Sequence, residues 1–138
     1  MNYRLLLRIA FGCVLFHFIG HTIGMLTWEE TEDPTKDKII SAMNGQQFEF
    51  MGAMKSIGEN YRGMNLLFDI TLLMLGVIIL MLSQFKEEPG KVRSLLLVIA
   101  ISFFGFSVTE FLYFFPLAAV TSLLAGFFTA FAAIKFKV

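Results

Sequence analysis

Residues 9–28 read IAFGCVLFHFIGHTIGMLTW, a run with no Asp, Glu, Lys or Arg. A helix needs about 20 apolar residues to cross the hydrocarbon core of a bilayer, so this run is sized for one crossing. It follows MNYRLLLR, with Arg4 and Arg8 one helical turn apart. A basic start before an apolar run is also the pattern of a secretory signal. This run is long for such a signal and no Ala-x-Ala-like cleavage site follows it, so a retained first span is predicted. Trp28 closes the run where an interfacial aromatic belongs. Inside it, His17 and His21 stand four residues apart and share one helix face. Ionisable side chains within lipid are costly and mark working or tightly paired positions.

Composition supports this reading. Of 138 residues, 57% are hydrophobic and 16% charged, with 17 Phe and a mean hydropathy of +0.72. A soluble domain carries roughly a quarter charged residues. Net charge is zero, which leaves no global field to recruit nucleic acid. The single cysteine, Cys13, excludes an intrachain disulfide and reads as a small buried hydrophobe. Phosphate-binding Gly loops, Cys-x-x-Cys pairs and nucleophile-elbow patterns are absent.

Beyond Trp28 the chain is polar through residues 29–62. Asp33-Pro34 reads as an N-cap followed by proline at the first helical position, with a stop at Asn44-Gly45. From Gln46 onward, Phe50, Met51, Met54, Ile57 and Tyr61 recur at helical steps opposite Gln46, Glu49, Lys55 and Glu59. An amphipathic helix over residues 46–58 is predicted there, capping the outer end of the bundle. Further spans are expected at residues 63–82, 95–114 and 117–134. Pro116 is placed at the start of the last, so that the long apolar stretch from residue 95 turns back on itself. The expected whole is one membrane domain, all-α, a four-span bundle with an outer amphipathic helical cap over residues 29–62.

Arg4, Arg8, Lys86, Lys91, Arg93, Lys135 and Lys137 fall in short flanks and one short loop on one side. Lys36, Lys38, Lys55 and Arg62 are diluted in the acid-rich stretch on the other. The positive-inside rule then puts both termini in the cytoplasm.

Depth follows from the helical rise. His21 lies roughly 10 Å inside the outer boundary at Trp28, Asp69 roughly 9 Å inside residue 63, and Glu110 roughly 6–8 Å before the turn at Phe114-Phe115, four or five residues on. With the Glu110 depth counted to that turn, His21, Asp69 and Glu110 are expected at one level, and Asn65 a turn shallower. His17 sits a turn deeper, with no evident charged partner. The five residues form the candidate site, with four readings. One is a hydrogen-bond network that fixes helix rotation. Another is a metal site, in which His17, His21, Asp69 and Glu110 would suit zinc or iron, although Phe18 replaces the Glu of a zinc-protease helix. A third is a pocket for a lipid, a quinone-like compound or another lipid-soluble molecule. The last is a scaffold meeting other membrane helices, which Gly20-x-x-x-Gly24 would let approach closely. Binding or scaffolding is favoured over catalysis. The enzymatic alternative is a metal- or His-dependent activity on a lipid-soluble substrate.

Gly20-His21-Thr22-Ile23-Gly24, with Met43, Phe50, Gly52, Tyr61-Arg62-Gly63 and Phe115-Pro116, resembles a group of small uncharacterised bacterial four-helix membrane proteins. The resemblance spans most of the chain. It implies a four-span bundle in the bacterial cytoplasmic membrane and carries no activity with it. Among the candidate site residues, only His21 belongs to the shared pattern.

Overall fold

The computed structural model describes residues 2–85 and 89–136. Residues 86–88 and 137–138, which carry part of the Lys and Arg reading, lie outside the described residues. The elements in order are α1 (Tyr3–Thr27), α2 (Pro34–Gly45), β1 (Gln47–Phe50), β2 (Ala53–Ser56), α3 (Ile57–Leu82), α4 (Pro89–Tyr113) and α5 (Pro116–Lys135). The fold is an all-α bundle, and α1, α3, α4 and α5 are each long and apolar enough to cross a bilayer. The protein is a multi-pass membrane protein. Leu26 (70% exposed), Leu67 (66%) and Phe111 (73%) face outward, an arrangement that lipid solvates and water does not.

Three of these helices start earlier than their apolar cores, at residues 3, 57 and 89 against the expected 9, 63 and 95. Polar residues at a span's end stay helical because intrahelical bonds satisfy the backbone. For α3 the start has a local cause. Ser56 Oγ accepts from the Glu59 N–H at 3.0 Å, and Glu59 Oε2 accepts from the Ser56 N–H at 2.8 Å. This reciprocal capping box satisfies backbone groups at the helix N-terminus.

The helix expected over residues 46–58 is not formed. Its place is taken by an antiparallel hairpin, β1 with β2, pairing Gln47 with Ser56 and Phe50 with Ala53. Met51 (φ 48) and Gly52 (φ 87) make the two-residue connection in left-handed backbone, the geometry that suits a twisted hairpin. The cap of α2 is as expected, with Asp33 accepting from the Thr35 N–H at 2.8 Å.

By internal contacts the chain divides into two compact units, Met1–Ile19 with Leu72–Val138, and Gly20–Thr71. In the first, α4 and α5 form an antiparallel helical pair joined at Phe114-Phe115, with Pro116 opening α5 as expected. The buried face of α5 is built from small residues, including Ala118, Ser122, Ala125, Gly126, Thr129 and Ala133. Small residues let helix backbones approach in lipid, where apolar burial gives no drive between helices. A Cβ on Gly126 would lie 3.0 Å from the Phe104 ring. Ser107 Oγ donates across the pair to the Ala119 carbonyl at 2.8 Å. In the same unit Tyr3 donates its hydroxyl to the Phe85 carbonyl at 2.9 Å and sets its ring edge-on to Phe136.

In the second unit, Glu29 Oε1 accepts from Arg62 at 2.8 Å and from Asn44 Nδ2 at 3.2 Å, tying the end of α1 to α2 and α3. The Asn44 side chain occupies the place a Cβ on residue 58 would need, which explains glycine there. Trp28 and Tyr61 pair at 4.9 Å between ring centroids, as an aromatic belt does at a membrane surface.

Candidate functional site

α1 supplies both histidines, and each unit holds one of them with its own carboxylate. In the unit of residues 20–71, His21 Nδ1 lies 2.9 Å from Asp69 Oδ1. A carboxylate only accepts, so the ring proton sits on Nδ1 and points at Asp69. The Thr22 hydroxyl donates to the other oxygen, Asp69 Oδ2, at 3.1 Å. Phe68 stands edge-on to the imidazole with centroids 4.8 Å apart, so the ring is held by packing as well as by charge. Asp69 therefore fixes both the orientation and the tautomer of His21. Nε2 is left as a lone pair with no hydrogen-bond partner among the described residues. The His21 side chain is 17% exposed, whereas Asp69 behind it is buried.

In the other unit, His17 Nε2 lies 3.5 Å from Glu110 Oε1. The other nitrogen, Nδ1, is hydrogen-bonded to the Ser122 hydroxyl at 3.2 Å. Both ring nitrogens are engaged, and His17, Glu110 and Ser122 are all buried. α1, α4 and α5 are joined at this point. The view that His17 lacks a charged partner is thus corrected: Glu110 is that partner. Equal depth grouped Glu110 with His21, but rise along an axis does not encode which helix lies over a given face. Asn65 turns back to its own helix, donating Nδ2 to the Tyr61 carbonyl at 2.8 Å.

Among the described residues no group of three or more His, Cys, Asp and Glu side chains converges as a metal-ligating set. The glycines beside His21 are open in this chain. Among the described residues, a Cβ on Gly12, Gly20 or Gly24 would meet nothing within 4 Å. Close approach occurs instead at Gly126 and at Gly76, where a Cβ would lie 3.3 Å from Val14.

Sequence reasoning missed Ser122 and Thr22. Thr22 adjoins His21 and could have been included on that ground. Ser122 carries no local signal, because serine on a small-residue helix face reads as packing. No protein-family model, curated protein or solved structure matches the chain.

Proposed function

We propose that this is a binding protein of the bacterial cytoplasmic membrane, with His21 and Asp69 receiving a lipid-soluble molecule that carries a hydroxyl or carbonyl head group. One observation carries the reading: His21 has one nitrogen committed to Asp69 and the other uncommitted, on a partly exposed ring. Such an Nε2 accepts from a hydroxyl, and after taking up a proton it donates to a carbonyl. His17, with both nitrogens engaged and no exposure to speak of, is assigned a structural role beside Glu110 and Ser122. The distribution of Lys and Arg supports cytoplasmic termini, and the resemblance around Gly20-His21-Thr22 supports the bacterial membrane. Membrane lipid is the constant partner of such a protein, and no feature of it favours nucleic acid.

Lipid and small-molecule mass spectrometry on the purified protein tests this. Wild type is expected to carry an apolar molecule that His21→Ala and Asp69→Asn both lose and Asn65→Ala retains. Identical extracts from all four proteins would overturn the reading. The same geometry, an imidazole oriented by a carboxylate, is also that of a general base, and it favours a His-dependent activity as the second reading. Turnover of the co-purified molecule by wild type but not by His21→Ala would select it.

A further inference from the structure

We infer that the β1–β2 hairpin is a membrane-surface anchor, laying one face into the outer boundary of the lipid. Residues directly opposite in the register share a face, so Phe48, Phe50, Ala53 and Lys55 lie on one side and Gln47, Glu49, Met54 and Ser56 on the other. The first side is apolar but for Lys55, whose ammonium donates to Glu59 Oε1 at 3.3 Å and whose methylene stem can lie along lipid. Of the eight strand residues only Ser56 is buried. Phe48 is 44% exposed, Phe50 49%, and Met51 at the tip is fully exposed.

The occupant follows from what adjoins the hairpin. Ser56 runs directly into Ile57, the first residue of a membrane-crossing helix, and Ile57, Met64 and Leu67 continue the exposed apolar surface down α3. The apolar phase next to the hairpin is therefore lipid. Length permits the contact as well. Four strand residues reach about 13 Å, whereas the five-residue step from Ser56 to the belt residue Tyr61 rises only about 7.5 Å. The tip can thus return to the belt level and past it. Residues 46–56 hold one Glu and one Lys, so the attachment is apolar and not an attraction to anionic headgroups.

The full chain reconstituted in phosphatidylcholine vesicles tests this, with Trp28→Phe removing the sole native tryptophan and Phe50→Trp supplying a reporter. The expected emission is blue-shifted and is quenched by lipids brominated near the headgroup end of the acyl chain. The matched reporter Glu49→Trp, on the opposite face, should emit as in water and be quenched by aqueous iodide instead. Met51→Trp serves as a second tip reporter should Phe50→Trp not fold. Water-like emission at the tip would overturn the proposal, as would lipid quenching found only in anionic vesicles. Protection of the tip in native membranes but not in purified vesicles would point to a protein partner and overturn it equally.

Discussion

His17 and His21 are the same residue type one turn apart on one helix, yet their surroundings divide their roles. Removing the buried His17 takes the ion-pair contact from Glu110 and the hydrogen bond from Ser122, and a buried polar group left without its partner costs about 1–3 kcal/mol. His17→Ala should therefore lower the unfolding midpoint in detergent more than His21→Ala does, and an inverted order would contradict the assignment. His21→Ala should instead show its effect in bound small molecules. Asp69→Asn separates orientation from bulk. Its amide keeps the shape but can present only one accepting oxygen where the carboxylate accepts from both His21 and Thr22. It is expected to remain folded while losing the ligand, as read by a thermal melt alongside extraction. The His21 and Asp69 positions were legible as candidates because charge in an apolar run is conspicuous. The His17–Glu110 pairing was not, since it depends on helix rotation and crossing, which residue spacing along a single chain does not contain.

Local chemistry decides which elements form between the spans. Helical spacing of Phe50, Met51, Met54, Ile57 and Tyr61 competes with the alternation of Phe48 and Phe50 and with Gly52, and the alternation prevails. Gly52, at φ 87, closes a turn that a helix could not accommodate, and Ser56-x-x-Glu59 begins α3 immediately after the hairpin. Both signals were present in the sequence, and the capping box in particular is readable as a helix start. The spans themselves, the Asp33 cap and the Pro116 start were legible because run length and proline chemistry are local. Gly52→Ala should cost about 1–2 kcal/mol through the left-handed backbone, seen as faster amide exchange in the hairpin. Ser56→Ala should cost about 1 kcal/mol through lost capping, seen as fraying at the first turn of α3. The glycines offer a sharper contrast. Gly126→Leu would drive its side chain into Phe103 and Phe104, at about 1–3 kcal/mol of overpacking. Gly20→Leu meets nothing and should gain up to about 1 kcal/mol of helix propensity in a detergent melt. A destabilised Gly20→Leu would show that another helix occupies that face.

Four crossings return the chain to the side from which it starts, so reporters fused to either terminus should report the same compartment. With the proposed orientation, a fluorescent protein that matures only in the cytoplasm should light up at both ends, and a dark fusion at one end would overturn it. The helical pair α4–α5 adds a consequence in time. Its partners are near neighbours in the chain, Ser107 with Ala119 and Phe104 with Gly126, joined through the two residues Phe114 and Phe115. Contacts of short sequence separation close quickly because little chain entropy is lost in forming them. This pair can therefore assemble as a ready-made hairpin. His17 then meets Glu110 and Ser122 already side by side, and the order of folding follows from the order of packing.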